Sequence, residues 1–160
     1  MKISTTRFGD INIDESRVIR MKRGMLGFEH LKKYVLLTQD GETPFWWFQS
    51  VEDGSVAFVL INPFAIDPEY EPVISDVEAQ SLEVASSEDV VLFSVVTIHS
   101  DPFTVTANLR APIMINAEKM LAEQIVLVDP DYPVRHTITE NSVALEAQEK
   151  ADSIPSVSAP

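Results

Sequence analysis

His99, Ser100 and Asp101 are the residues that most resemble catalytic machinery, because they are the three side-chain types of an acyl-transfer triad. Neighbours along a chain point in different directions, whereas a working triad brings its members together from separate elements. The sequence also lacks the Gly-x-Ser-x-Gly elbow that presents a nucleophilic serine. We therefore expect a polar turn before Pro102 and no hydrolase chemistry.

Metal and cofactor sites are not predicted either. The three histidines, His30, His99 and His136, are far apart, and no two of them stand at the i, i+4 spacing of a helical metal pair. The chain has no cysteine, and its five glycines match neither a phosphate-binding loop nor a dinucleotide fingerprint. We expect a protein that is not an enzyme and uses no metal and no cofactor.

The distribution of charge is a strong functional signal. Residues 34–109 contain thirteen Asp and Glu and no Lys or Arg, whereas residues 1–33 contain eight Lys and Arg against four acids. The formal net charge of the 160 residues is −13. So one-sided a stretch attracts cationic proteins and repels nucleic acid. The alternative is that these acids serve only solubility.

The run Phe45–Phe48 is aromatic at all four positions. In a strand, successive side chains face opposite sides, so Trp46 and Trp47 would lie on different faces. Exposed aromatic side chains are effective binding anchors, which makes one of these faces a candidate partner site. The alternative is that a short helix at residues 29–33, or a neighbouring loop, covers the outer face.

Residues 63–72 read as a loop that is rich in proline and acidic side chains. Phe64 and Tyr70 add two large aromatic rings to it. Acidic and aromatic side chains in one loop suit a ligand that is both basic and amphipathic.

The elements that must position these residues are short strands. Residues 56–61 and 90–98 are β-branched or aromatic at nearly every position, which is typical of strands covered on both faces. Residues 103–109 alternate between apolar and polar side chains. Asp-Gly pairs at 40–41 and 53–54 favour tight hairpin turns. Further strands are predicted at residues 3–8, 11–13, 18–21, 34–37, 45–51, 113–115 and 124–128.

Close to ten short strands predict one all-β, antiparallel domain that closes into a barrel or sandwich, because an open sheet leaves long unpaired edges. One or two short helices are expected, at residues 29–33 and at residues 117–121, where Asn116 would be the N-cap. The domain is predicted over residues 1–138. Residues 139–160 are predicted to form a disordered tail, because large apolar side chains become scarce and Ser, Ala and Pro dominate its end.

A cytoplasmic location is expected from two further features. No apolar run approaches the ~20 residues that a membrane span requires. The first residues are polar, and no apolar segment typical of a signal peptide follows them.

Several motifs together resemble the FliW family of flagellar assembly factors. They are Phe8–Ile11, Gly24–Glu29, Phe45–Ser50 and Ile61–Pro63 in the first half of the chain, and Thr106–Asn116, Gln124–Leu127 and Tyr132–Arg135 in the second. The resemblance spans roughly residues 1–138. One departure is Leu26, at a position where the family often has proline inside a Gly-x-Pro-Gly turn.

The resemblance implies a small antiparallel β-barrel-like domain that acts by binding other proteins. Family members bind cytoplasmic flagellin before its export. Once flagellin is exported, they bind and antagonise the translational repressor CsrA, and so couple flagellin translation to export. No direct contact with nucleic acid or membrane is implied.

The resemblance and the charge pattern together give a hypothesis for the binding site. CsrA must carry cationic surface to hold RNA phosphates, which an acidic surface would attract. We assign apolar anchoring to Trp46, Phe64 and Tyr70. We assign electrostatic steering to Glu69, Glu71, Asp76 and Glu78.

Two further expectations concern alternatives. Asn108 and Asn116 flank an Ala-Pro junction and are expected to satisfy backbone groups there rather than to contact a partner. Arg110 and Arg135 are each expected to pair with a nearby carboxylate. The alternative function is a small-molecule carrier that uses the barrel interior as its pocket, although the predicted inward residues Phe58, Leu60, Leu92 and Phe103 are bulky enough to fill it.

Overall fold

The computed structural model describes residues 1–38 and 43–139, together with the backbone of residues 157 and 158. In these residues the strands are β1 (Lys2–Thr5), β2 (Gly9–Asn12), β3 (Ile19–Met21), β4 (Lys33–Thr38), β5 (Phe45–Ser50), β6 (Ala57–Ile61), β7 (Val90–Ser100), β8 (Phe103–Ala107), β9 (Ile113–Asn116), β10 (Leu121–Gln124), β11 (His136–Thr137) and β12 (Val157–Ser158). The helices are α1 (Pro63–Ile66) and α2 (Asp76–Ser81), and 3-10 turns cover Glu15–Arg17 and Ser87–Asp89. The prediction of an all-β chain with one or two short helices is confirmed.

Seven of these strands form a closed barrel. Around the ring the order is β7, β6, β5, β4, β3, β10 and β9, and β9 pairs with β7 to close it. The pairings in the ring are antiparallel except that of β3 with β10, which is parallel. Closure pairs backbone groups that an open sheet would leave exposed at its edges. The predicted barrel-like fold is therefore confirmed.

β7 is the strand at which the barrel closes. One of its edges pairs with β6, while on the other edge Val90–Phe93 pairs with β9 and Val96–Ser100 pairs with β8. Between β8 and β9, the Asn108 Oδ1 atom accepts hydrogen bonds from the backbone N–H groups of Arg110 at 3.0 Å and Ala111 at 2.9 Å. Asn108 thus satisfies backbone groups where the ladder is interrupted, as expected.

Aromatic side chains fill the barrel. Tyr34 and Phe48 stack with their ring centroids 4.3 Å apart, and the rings of Trp46 and Phe93 meet at 5.7 Å. All four residues are buried. The face of β5 that carries Trp46 and Phe48 is therefore the inner face.

The opposite face of β5 is covered by the N-terminal hairpin of β1 and β2. Phe8 packs edge to face on Trp47 at 5.5 Å, and the Arg7 guanidinium lies 4.4 Å from the centre of the same ring. Ile3 and Ile11 of the hairpin complete this contact with the barrel wall. The cover is the hairpin, whereas a helix at residues 29–33 was one of the predicted covers.

A second cover lies over the outer face of β7 and β9. It consists of α1, α2 and the segments around them, and it packs Ile66, Tyr70 and Leu82 against Leu92 and Met114. The barrel wall therefore lies between an inner core and two outer apolar layers. These covers explain why strands 56–61 and 90–98 are apolar at nearly every position.

Neither helix forms at the residues where it was predicted, and the two short helices of the described residues lie elsewhere. Residues 29–33 contain a turn and the start of β4, and residues 117–121 contain a turn that leads into β10. The Asn116 Oδ1 atom accepts from the backbone N–H groups of Glu118 and Lys119, as an N-cap would. Met120 then adopts a φ of +55°, which turns the chain back as a hairpin. A left-handed residue ends a helix, so the N-cap signal was real but the helix does not continue.

The end of the chain is described only at β12, where Val157 and Ser158 pair in parallel with Leu37 and Thr38 of β4. The rest of the predicted tail from residue 140, and the predicted turn at residues 40–41, lie outside the described residues. Across the portions that the structure describes, no helix has the length and apolar character to cross a membrane.

Gly54 tests the attachment of the N-terminal hairpin. A Cβ atom at this position would lie 1.8 Å from the Ser4 carbonyl oxygen. Backbone must then move, so we expect Gly54→Ala to lower the free energy of unfolding by about 2–3 kcal/mol. The measurement is urea denaturation. The control is Gly27→Ala, where the added Cβ meets open space but φ is +87°, with an expected loss of about 1 kcal/mol. Equal losses in the two variants would contradict the close approach.

Tyr34 tests the barrel interior. Among the described residues, no group accepts or donates a hydrogen bond at its buried hydroxyl. Burial, with a smaller contribution from the Glu52 carboxylate, raises the pKa of Tyr34 to about 12. An unfolded tyrosine has a pKa near ~10, so the folded state holds this proton more tightly and stability falls as pH rises from 10 to 12.

We expect Tyr34→Phe to keep or raise stability at pH 7, by up to about 1 kcal/mol, and to reduce the loss between pH 10 and 12. The measurement is urea denaturation at a series of pH values. The matched control is Tyr70→Phe, which loses a hydroxyl that donates to the Leu109 carbonyl at 2.6 Å and should lower stability by about 1 kcal/mol. A Tyr34→Phe variant that is less stable than the control would refute this account.

Candidate protein-binding surface

The acidic surface of the molecule is carried by residues 67–89, which contain eight Asp and Glu and no Lys, Arg or His. This segment includes α2 and crosses the outer face of β7 and β9 as part of the second cover. Because no cation stands within it, the segment projects a negative potential, which Arg23 offsets in part near Glu78.

α1 introduces the acidic segment. The Asn62 Oδ1 atom accepts from the Phe64 N–H at 2.9 Å, and Pro63 takes the first helical position. Residues 63–72 were predicted as a loop, so this helix is a correction. Asn followed by Pro is a helix-start signal, but a helix of four residues is too short to show the apolar periodicity that distinguishes a helix from a loop. The helix buries Ala65 and Ile66 and leaves Phe64 half-buried.

Tyr70 lies beneath this surface. It is 2% exposed, and its hydroxyl donates to the Leu109 carbonyl at 2.6 Å. Its ring meets those of Phe64 and Tyr132 edge to face, and burial raises its pKa. The Tyr132 hydroxyl in turn accepts from the Glu71 N–H at 2.8 Å. Tyr70 was assigned as an exposed anchor, and the structure instead places it as the support that fixes the acidic loop to the barrel.

Arg110 reinforces the same junction. Its Nε donates to the Tyr132 carbonyl and its Nη2 to the Pro130 carbonyl, both at 2.9 Å. The expected partner was a carboxylate. Two converging backbone carbonyls replace it, because the loop after β10 passes close to the loop between β8 and β9.

Trp46 is placed away from the acidic surface. It is 4% exposed and lies inside the barrel against Phe93. Alternation along β5 required one tryptophan to face inward, and the sequence did not show which one. In this conformation Trp46 therefore has no surface to offer a partner.

The four acids assigned to steering lie on the surface but differ in exposure and in hydrogen bonding. Glu69, Glu71 and Asp76 are exposed, and Glu78 is half-buried. Glu78 also closes a capping box: its carboxylate accepts from the Ser75 N–H at 3.0 Å, and the Ser75 hydroxyl oxygen accepts from the Glu78 N–H at 3.2 Å. Glu78 thus stabilises the start of α2 as well as adding charge.

A groove lies between α2 and the barrel wall, with a volume of about 630 Å³. We call it the α2 groove. It is lined by Asn62, Phe64, Ile74, Ala79, Val84, Ser87, Val90, Val91, Leu92 and Met114. Next to it, Val73 and Val77 are 82% and 75% exposed. The groove was not predicted, although apolar Val73 and Val77 within an acidic segment were a signal for it.

Asn116 fixes the end of α2. Its Nδ2 donates to the Leu82 carbonyl at 2.8 Å and to the Glu83 carbonyl at 3.2 Å. Leu82 is fully buried, and Glu83 adopts a left-handed φ of +55° that turns the chain away. The helix itself buries none of its residues. α2 is therefore attached mainly at its C-terminal end.

The residues that resembled catalytic machinery lie where β7 ends: His99 and Ser100 are its last two residues and pair with β8, and Asp101 begins the turn. His99 Nε2 lies 3.3 Å from Thr106 Oγ1 on the neighbouring strand, and Ser100 and Asp101 are exposed. His99 thus faces Thr106, and the predicted polar turn before Pro102 is confirmed for Asp101 but not for His99 and Ser100, which are strand residues.

Comparison with known proteins decides the family. The family model described as FliW protein matches residues 2–138. The chain belongs to the FliW family. Leu26, which replaces the frequent proline of this family, is 57% exposed, and its N–H donates to Gln124 Oε1 at 2.9 Å. A proline could not make that hydrogen bond.

Relatives within the FliW family match over most of their length. A flagellar assembly factor FliW of Syntrophus aciditrophicus is 55% identical over 141 residues, which are 88% of this chain and 89% of the relative. One of Geobacter sulfurreducens is 40% identical over 159 residues, 99% of each chain. A crystal structure of the flagellar assembly factor FliW superposes with a TM-score of 0.79 at 40% identity, and it covers 86% of this chain and 96% of its own.

Asn116→Ala tests the attachment of α2. The substitution leaves the Leu82 and Glu83 carbonyls without their side-chain donor, so we expect a loss of about 1–3 kcal/mol in unfolding free energy. We also expect faster amide hydrogen exchange in residues 76–84. Asn108→Ala is the matched control, because it should lower stability without affecting exchange in that segment. Unchanged exchange in Asn116→Ala would show that other contacts hold α2.

Proposed function

We propose that this protein is a cytoplasmic, non-enzymatic flagellar assembly factor. It binds flagellin before export and, once flagellin has been exported, binds and antagonises the translational repressor CsrA. Flagellin translation is thereby coupled to flagellin export. Membership of the FliW family supports the flagellar role, since relatives in that family are named flagellar assembly factors.

The observation that carries the proposal is the cation-free acidic segment 67–89. An RNA-binding repressor must present Lys and Arg to phosphates, and the same cations are attracted by this segment. RNA itself is repelled. The protein therefore selects the repressor and avoids the message, without direct contact with nucleic acid.

Within this proposal the residues divide into two groups. Phe64, Glu69, Glu71, Asp76 and Glu78 contact the client. Tyr70 holds their loop against the barrel, and Trp46 contributes only through the stability of the barrel interior. Exposed ion pairs add little energy each, about 0–1 kcal/mol, so the acids act mainly on the association rate and apolar contacts slow dissociation.

The alternative of a small-molecule carrier is less well supported. A carrier would need room inside the barrel, and the stacked rings of Tyr34 and Phe48 together with Trp46 and Phe93 occupy that space. This alternative would be favoured if a small metabolite stabilised the protein and the metabolite-bound protein could still bind its client.

Charge reversal tests the proposal. We expect the combined substitutions Glu69→Lys, Glu71→Lys and Glu78→Lys to slow CsrA association about tenfold or more in dilute buffer and to flatten the salt dependence of the rate. Stopped-flow mixing with purified CsrA measures both quantities. Flagellin binding is measured in parallel by titration, and flagellin should displace CsrA from the wild-type protein.

The matched control reverses three exposed acids on other elements, Glu15, Asp101 and Glu118. It changes net charge by the same amount, so it separates local steering from the effect of total charge. Association rates that are equal in the two triple variants would refute the assignment of the surface. Failure of the wild-type protein to bind either client at micromolar concentration would refute the proposed function.

A further inference from the structure

We propose that the α2 groove receives the apolar face of an amphipathic helix from a protein partner, and that this helix carries Lys and Arg along its polar flanks. The inference rests on the proposed function, because it names the kind of client segment that the acidic surface binds. It goes further by committing to a site and to a secondary structure.

The lining of the groove calls for an apolar occupant. Phe64, Ile74 and Val84 form one wall, and Val90 and Leu92 of β7 form the floor. The volume of about 630 Å³ lies within the roughly 300–1,000 Å³ of ligand-binding clefts. Val73 and Val77 do not line the groove, but each lies within two residues of a lining residue, Ile74 or Ala79, and is strongly exposed, so in the proposed complex the bound helix covers them.

The floor of the groove favours a helix over an extended peptide. An extended peptide gains affinity from main-chain hydrogen bonds at an open strand edge. Here β9 pairs with one edge of Val90–Phe93, while on the other edge the β6 ladder covers Ser94–Val96 and the chain continues as α1, which contacts β7. An occupant of the groove therefore meets the side chains of its lining. A helix satisfies its own backbone and needs only apolar contacts at i, i+3, i+4 and i+7.

The charge around the groove selects a cationic helix. Asp76 and Glu78 belong to the α2 wall, and Glu83, Glu88 and Asp89 follow along the same segment. None of residues 67–89 is a cation, so an acidic helix would meet repulsion along its whole length. Lys and Arg that flank an apolar stripe would instead face these carboxylates.

The outer wall can adjust to the occupant. α2 buries none of its residues, whereas Leu82 at its end is fully buried. Asn116 ties only the carbonyls of Leu82 and Glu83. A small outward rotation about this end widens the groove while the attachment is kept.

The test uses the full chain and two synthetic 18-residue helical peptides, one with a Leu stripe flanked by Lys and one with the same stripe flanked by Glu. We expect the Lys peptide to bind, to displace the client, and to slow amide exchange in residues 73–92. We expect Ala79→Phe, which fills the groove, to weaken Lys-peptide binding at least about tenfold. The matched control is Gln80→Phe, because Gln80 is the next residue of α2, is exposed and does not line the groove. Fluorescence anisotropy measures binding.

The variants Val73→Ser and Val77→Ser provide a second test, since both residues are exposed and their substitution should leave the melting temperature unchanged. Both substitutions should also lower the affinity for the Lys peptide. Equal affinities for Ala79→Phe and Gln80→Phe, or equal binding of both peptides, overturn the inference. If flagellin and CsrA bind the wild-type protein and Ala79→Phe equally well, the α2 groove is not their binding site, but the proposed function still holds. If laurate stabilises the wild-type protein but not Ala79→Phe, and neither peptide binds, the inference is overturned in favour of a small-molecule carrier.

Discussion

Closure of the barrel at β7 is the constraint on which the rest of the structure depends. One strand of eleven residues pairs with β6 on one edge and with β9 and then β8 on the other. This arrangement uses most backbone hydrogen bonds of β7 within the sheet, so much of the surface around this strand is formed by side chains and by segments that cover the barrel wall. The two covers are such segments, and they differ in charge as well as in structure.

The division of charge follows the division into covers. The N-terminal hairpin belongs to residues 1–33, where cations outnumber acids, while the second cover lies in the cation-free stretch. Mutual repulsion among the acids opposes compaction of the second cover. Specific contacts offset it, namely the capping box of α2, the aromatic chain from Phe64 through Tyr70 to Tyr132, and the Asn116 amide. Acidic residues are thus held close together at a site where solvation alone would spread them.

Much of the fold could be predicted from the sequence, because strand patterning and turn chemistry are local. The Asp53-Gly54 turn and the runs that became β5, β6 and β7 show this. The helices were misplaced, since a capping signal at Asn116 cannot reveal that Met120 will turn the chain back. The acids of the candidate surface were found from charge alone. The burial of Trp46 and the α2 groove could not be found, because both depend on which segments cover which face.

The adjacent tryptophans of β5 have a consequence for spectroscopy. Trp46 is enclosed in the barrel beside Phe93, whereas Trp47 is only partly covered, under Phe8 and the Arg7 guanidinium. Two fluorophores that are consecutive in the chain thus report on opposite sides of one β-sheet. Emission from a chain that keeps only Trp46 follows the integrity of the inner core, and emission from one that keeps only Trp47 follows detachment of the hairpin, so the two events can be timed separately without an external label.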